Sequence, residues 1–293
     1  MILGIDHLVI AVADLEAASE ELSAGLGLEV VEGGRHLTLG TRNALCWLGD
    51  SYLELLAVTD PALAARSWIG APALATLALG GGLATYALAS DDLGGDIRRL
   101  RSAGSNVIGP LPGERLRPDG QAERWLLALL PELAPDRPPF LIEHLPGSPE
   151  WRPDARRQRE EGGHRGGRVR LRRLEIPVAD PEAVAEAYRR ELALQPEPRG
   201  LPSPGMAAPS RPEPSSPPPP SPGTPAQPSQ VRGFSAGRQS VVLTSPIGQG
   251  GVDPWPAHLR RPPATVVLSS DAGTDRELEL LGCRFVVERA EIG

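Results

Sequence analysis

The sequence contains no lysine: all 30 of its basic residues are arginine. A chain without lysine forms no Schiff base with a carbonyl substrate and supplies no phosphate-loop lysine, which excludes two large enzyme classes. Cysteine is nearly as scarce. Cys46 and Cys283 are the only two and belong to no CxxC pair, so they make no disulfide framework, and a reducing cytoplasm is the expected compartment. Aromatic residues are 4% of the 293, which leaves the interior to aliphatic side chains. Long apolar runs are also missing. The stretch from Met1 to His7 has no basic region and is broken by Asp6 and His7, and nothing approaches the roughly 18 apolar residues that span a bilayer. Neither a signal peptide nor a membrane helix is expected. With 37 acidic residues against 30 basic ones the net charge is −7, which attracts neither nucleic acid nor an anionic membrane and leaves small molecules as the expected partner.

What is present is repetition. Asp6 to Val12 is β-prone; Asp14 then caps an alanine- and glutamate-rich helix from Leu15 that Gly25 and Gly27 close. Three short β-like runs follow, Leu28 to Val31, Asn43 to Leu48 and Tyr52 to Val58, set off by glycines. The order is βαβββ. It recurs after Gly80-Gly81-Gly82, with a strand at Leu83 to Ala89, a helix capped by Asp92 and ended by Gly104, and strands at Trp125 to Leu130 and Phe140 to Leu145. Asp14 lies seven residues after His7 and Asp92 seven after Thr85, so Thr85 takes the position of His7.

A third copy is visible in the letters. His7-Leu-Val-Ile-Ala-Val-Ala-Asp14 matches Arg173-Leu-Glu-Ile-Pro-Val-Ala-Asp180 at five of eight positions. The expected organisation is therefore a paired-module domain over 1–147, an arginine-rich linker over 148–172 and a degenerate third module over 173–293. The linker reading rests on nine arginines against three acids from Trp151 to Arg173, and a solvated segment is its simplest account. The third module is interrupted at 196–232, where 14 of 37 residues are proline and a disordered insertion is expected. Beyond it, Gln239 to Thr244 and Thr265 to Ser269 read as strands, and Asp275 to Leu281 as a short helix leading into Arg284 to Val287.

Several polar residues do not belong in buried strands. His7 shares a strand face with Ile5 and Val9 and reads as either a core histidine or a cavity ligand. Glu54 interrupts Tyr52-Leu53-Glu54-Leu55-Leu56, and a buried carboxylate is costly unless it is paired or bound to a metal; the alternative is an open sheet face that meets water. Glu143 interrupts Phe140-Leu141-Ile142-Glu143-His144 at the end of the second module, as Glu54 does at the end of the first. His36 and Arg35, with Thr41, Arg42 and Asn43, fall in a glycine-bearing segment that reads either as a substrate-binding loop or as a plain exposed turn. His144 alternates away from Glu143, and it, His164 and His258 carry no expected chemistry.

With two βαβββ modules, a strand-borne His7 and a terminal-strand Glu54, residues 4–146 resemble the vicinal oxygen chelate superfamily, and within it the glyoxalase-like domains. Asp6 to Val12, Gly33-Gly34-Arg35-His36, Gly40 to Leu45, Tyr52 to Leu55 and Phe140 to Glu143 carry the resemblance. It implies an α+β fold in which repeated βαβββ modules form a curved mixed sheet around a cavity, with helices outside, built within one chain or between the chains of a homodimer. It also implies a divalent metal (Zn, Mn, Fe, Ni or Co) on His7, Glu54 and Glu143, with Thr85 departing from the pattern as a poor ligand. Arg35, His36, Thr41, Asn43 and Thr85 would contact the substrate. A metal holding two neighbouring substrate oxygens would stabilise an enediolate while Glu143 or Glu54 takes the proton, as in a lyase or isomerase; the alternative is a protein of the same fold that binds a ligand without turnover.

Overall fold

The computed structural model describes residues 1–131, 133, 139–151, 154, 155, 164, 167–197, 231–245, 262–272 and 274–290. Most of the arginine-rich segment and the body of the proline-rich insertion lie outside these residues, as does His258.

The first module runs β1 (Ile2–Ala11), α1 (Leu15–Leu26), β2 (Val31–His36), β3 (Thr41–Leu48) and β4 (Ser51–Val58). Helix α1 starts where Asp14 accepts the Ala17 N–H and stops at Gly27, whose φ of 69° only glycine adopts without strain. Two short helices, α2 (Pro61–Ala64) and α3 (Gly70–Leu77), lead to β5 (Gly82–Ser90), α4 (Leu93–Ser102), β6 (Ile108–Leu116), β7 (Ala122–Leu129) and β8 (Phe140–His144). Asp92 caps α4 by accepting the Gly95 N–H. The strands close into one barrel in the order β1-β4-β3-β2-β6-β7-β8-β5. Each module contributes one parallel pair, β1 with β4 and β5 with β8, and the halves meet where β1 and β5 run antiparallel. Both halves come from one chain, so the barrel needs no second copy to close.

The strand expected at Leu28 to Val31 begins instead at Val31 and continues through Gly33 and Gly34, with an irregularity in its pairing to β3 between Glu32 and Gly34. These glycines are needed for close approach rather than for a turn. A Cβ on Gly34 would lie 2.0 Å from the Leu116 carbonyl, at the β2–β6 seam where the barrel closes, and one on Gly33 would lie 2.3 Å from Asn43 Oδ1.

A second, seven-stranded sheet follows. It is built from β9 (Val169–Pro177), α5 (Pro181–Ala187), β10 (Gln195–Pro196), β11 (Val231–Ala236), β12 (Gln239–Thr244), β13 (Thr265–Ser270), β14 (Arg276–Leu280) and β15 (Cys283–Arg289), in the order β10-β11-β12-β9-β13-β15-β14. Strand β9 is parallel to β12 and antiparallel to β13, and β13 is parallel to β15. This repeats the relations of β1 to β4 and β5, and of β5 to β8. The expected helix over Asp275 to Leu281 is strand β14. It pairs with β15 through a two-residue turn in which Leu281 and Gly282 both have positive φ, 51° and 68°. In Arg-Glu-Leu-Glu-Leu the alternation of period two prevails over the helical reading, since a single helical turn is too short to nucleate by itself.

Two apolar cores result. One lies between the outer face of the barrel, its helices and the second sheet and includes Leu8, Ile10, Leu53, Leu55, Tyr86, Tyr188 and Phe234; the other lies inside the barrel and includes Val9, Ala11, Leu56, Ala87, Phe140 and Ile142. The Tyr86 and Tyr188 hydroxyls hydrogen-bond to each other within the outer core, and burial pushes both phenols up.

Candidate functional site

The pleat of β1 sends Leu8 and Ile10 outward and leaves His7, Val9 and Ala11 facing the barrel interior. On β4 the same alternation turns Leu53 and Leu55 outward and Tyr52, Glu54 and Leu56 inward. The inward side chains line a cavity. His7, His36, Asn43 and Glu54 converge on one part of its lining, its floor; Trp68, Trp125, Phe140 and Trp151 supply aromatic surface, and Arg115, Glu123, His144 and Glu150 add further polar groups. Aromatic surface with converging polar groups is the usual make-up of a small-molecule site.

Glu54 is the centre of the floor and is 4% exposed. Its Oε1 accepts the Asn43 amide at 2.6 Å and lies 4.0 Å from His36 Nε2, while Oε2 lies 3.4 Å from His7 Nε2. The His7 ring is held on three sides. Nδ1 hydrogen-bonds Asp6 Oδ1 at 2.6 Å, Tyr52 stacks on one face at 4.5 Å, and Phe140 meets it edge-on at 5.5 Å. A bulge in the β1–β5 pairing between Ile5 and His7 accompanies this placement of two successive polar side chains. The other Asp6 oxygen takes His144 Nε2 at 3.0 Å. Burial alone raises the Asp6 carboxyl, but the His144 and His7 rings more than offset it and hold the group well below the usual carboxylate range. Burial pushes His36 down to about 4 despite the nearby Glu54 charge, which keeps its imidazole neutral at pH 7.

The structure redistributes the expected site residues. His7, His36, Asn43 and Glu54 converge on the cavity, and Thr41 supports it by placing Oγ1 3.1 Å from His36 Nδ1. His36 ends strand β2 rather than lying in a loop, and it is 5% exposed. Arg35 is exposed on β2, and Arg42 makes a two-pronged pair with Glu16 on the outer surface. Thr85 is buried opposite Val9 and is not part of the cavity wall.

Glu143 is the largest correction. Its carboxylate accepts the Leu93 N–H at the start of α4, outside the barrel, and the residue that lines the cavity is His144. The strand register explains this. Val9 pairs with Glu54, and Ala87, which corresponds to Val9 when Thr85 corresponds to His7, pairs with Phe140. The counterpart of Glu54 is therefore Phe140, three residues before Glu143. An odd offset along a strand reverses the face.

The same register tests the expected metal. Of the four corresponding places, His7 and Glu54 offer ligands, Thr85 is absent from the wall and Phe140 has no donor atom. Among the described residues no group of three His, Cys, Asp or Glu side chains is arranged to hold a metal ion. The donor set does not fit the metal that the resemblance implies.

Residues that the sequence reading passed over complete the site. Arg115 on β6, 5% exposed, donates from Nη2 to Glu150 at 2.6 Å. Glu123 on β7 accepts the Glu150 N–H at 2.6 Å. Trp151 stacks on His144 at 3.8 Å. Glu150 and Trp151 belong to the 3-10 turn Pro149–Trp151 that follows β8 and straps one wall of the cavity. The local signal for Asp6 was its place beside His7. Arg115 and Glu150 lie 35 residues apart in the chain and carry no signal that links them. His164, in the arginine-rich segment, accepts the Glu29 N–H and bonds the Trp47 carbonyl, a structural role.

No functionally curated protein matches the chain. Among solved structures, a hypothetical protein from Staphylococcus aureus superposes with a TM-score of 0.69 over 99% of this chain and 100% of its own, at 16% identity, so the fold is shared through the second sheet. Methylmalonyl-CoA epimerase from Mycobacterium tuberculosis matches 50% of this chain and 90% of its own at 26% identity with a TM-score of 0.40; that from Streptomyces coelicolor matches 49% and 98% at 26% identity and 0.39. No helix among the described residues is long and apolar enough to cross a membrane. A family of glyoxalase-like domains matches residues 5–192, and with the paired βαβββ barrel this places the chain in that family, within the vicinal oxygen chelate superfamily.

Proposed function

We propose that the barrel cavity binds a small organic molecule and that Glu54 removes a proton from a carbon next to one of its carbonyl groups, in a lyase or isomerase reaction. The observation that carries the reading is the setting of Glu54: a carboxylate buried at the floor of an aromatic-walled cavity, with one oxygen held by Asn43 and the other beside His7 Nε2. Asn43 fixes Oε1 so that Oε2 faces the ligand, and orientation of this kind is a large part of a general base's effect. A proton arriving on Oε2 has His7 Nε2 3.4 Å away as its next acceptor. Asp6, on Nδ1, stabilises the imidazolium that results, as the carboxylate does in other aspartate–histidine pairs.

The test is wash-in of solvent deuterium. Panels of 1,2-diketones, hydroxyketones and hemithioacetals of 2-oxoaldehydes are incubated in D2O and followed by mass spectrometry. The expected result is protein-dependent incorporation at the carbon next to the carbonyl for at least one class, reduced about a hundredfold or more in Glu54→Gln. Incorporation that survives in Glu54→Gln overturns the role of Glu54.

One observation favours a second reading, ligand binding without turnover. Phe140 replaces a donor with a hydrocarbon ring at the register position of Glu54, which suits retention of an apolar ligand. Ligands that bind without any deuterium wash-in support it.

A further inference from the structure

Beside the Glu54 floor the chain places a second polar cluster that the proton transfer does not use. Two guanidiniums, Arg115 and Arg117, face three carboxylates, Asp119, Glu123 and Glu150. Arg115 Nη2 lies 2.6 Å from Glu150 Oε2, and Arg117 Nη1 lies 3.5 Å from Glu150 Oε1 and 3.3 Å from Glu123 Oε1. Glu123 and Glu150 are not equivalent. Glu123 is fixed in the barrel on β7, whereas Glu150 is carried by the short turn after β8. With Glu150 withdrawn, Arg117 keeps Asp119 and Glu123, whereas Arg115, a side chain that is 5% exposed and lines the cavity, loses its carboxylate partner. A buried, unpaired charge is strongly unfavourable, so Arg115 then requires an anion from elsewhere. A second observation points the same way. Arg115 Nε is buried and has no hydrogen-bond partner, so the guanidinium retains a donor that no protein group satisfies.

We propose that Arg115 is the docking point for a carboxylate carried by the cavity's ligand, and that Glu150 is the chain's own occupant of that place, displaced as the ligand binds. The ligand class is a small carboxylic acid with an apolar or aromatic body. The carboxylate would take the Glu150 position on Nη2, and the body would lie against Trp125 and Phe140. Because Glu150 and Trp151 share one turn, withdrawal of Glu150 also pulls Trp151 from its stack on His144. This inference rests on the reading of the cavity as a small-molecule site.

The test uses phenylacetate and its uncharged counterpart phenylacetamide as probes of the full-length protein, with calorimetry as the measure of affinity and tryptophan fluorescence as the measure of Trp151 release. Phenylacetate is expected to bind about tenfold more tightly than phenylacetamide. Glu150→Gln removes the internal competitor without removing the turn, and should widen that preference about tenfold further. The double variant Arg115→Gln, Glu150→Gln, which leaves no lone buried charge between the two positions, should bind both probes equally. Equal affinity for the two probes in Glu150→Gln overturns the docking role of Arg115 while the small-molecule reading stands. Failure of both probes to bind any of the three proteins overturns both.

Discussion

Phe140 stands in the second half of the barrel where Glu54 stands in the first, because Ala87 pairs with Phe140 as Val9 pairs with Glu54. The two side chains meet the same ring from different directions: the carboxylate reaches His7 Nε2 and the phenyl packs edge-on against the imidazole. Phe140→Glu should therefore supply a missing donor. It also sets a second carboxylate close to Glu54 in a buried site, where like charges repel. The expected outcome is a lower Tm in EDTA and recovery of several degrees on addition of Ni2+ or Zn2+, with a shift of under about 1 °C in the unsubstituted protein, read by scanning calorimetry. A metal effect no larger in the variant would refute the register argument.

His7 is placed to accept what Glu54 collects. If the pair works as a relay, His7→Gln keeps ligand affinity within about threefold and lowers deuterium wash-in by about ten- to a hundredfold. Loss of affinity with unchanged wash-in per bound ligand would instead make His7 a binding residue. Isothermal calorimetry and the D2O assay separate the two outcomes.

His36 gives a pH dependence with a definite sign. Its pKa falls from the ordinary 6.5 of an unfolded histidine to about 4 in the barrel, through burial. Between those values the unfolded chain binds a proton that the folded chain does not, so stability declines as pH drops from 6.5 toward 4. The full contribution is on the order of 3 kcal/mol. In His36→Gln, urea midpoints at pH 7 and pH 4.5 should lie closer together than in the unsubstituted protein; an unchanged gap would show that His36 does not titrate in this way.

Tyr86 and Tyr188 tie the barrel to the helical segment of the second sheet through one buried hydroxyl pair. Removing either hydroxyl leaves the other buried without its partner, at a cost of about 1–3 kcal/mol. Removing both restores a consistent apolar contact. Urea unfolding of Tyr86→Phe, Tyr188→Phe and the double variant should thus give a double variant less destabilised than the sum of the singles. Strict additivity would mean that the pair does not couple the two sheets.

The sequence by itself determined the repeat. Aspartate caps at Asp14, Asp92 and Asp180, apolar alternation in the strands, and the match of the strand after His7 to the strand after Arg173 are local signals, and local signals fix where strands and helices begin. They also marked His7 and Glu54, because polar side chains inside an apolar strand stand out by their cost, whereas Asn43 was marked only as part of the glycine-bearing segment around His36. Only the tertiary structure decided which side chains share the cavity. A parallel pair of strands is joined through a long connection that leaves the register free, so the sequence did not show whether Phe140 or Glu143 faces Glu54. One odd step in that register moves a side chain from the barrel interior to the outer surface. The Arg115–Glu150 contact has the same origin: two residues distant in the chain become partners through closure of the barrel between β2 and β6 and the turn after β8, and no local pattern encodes that closure.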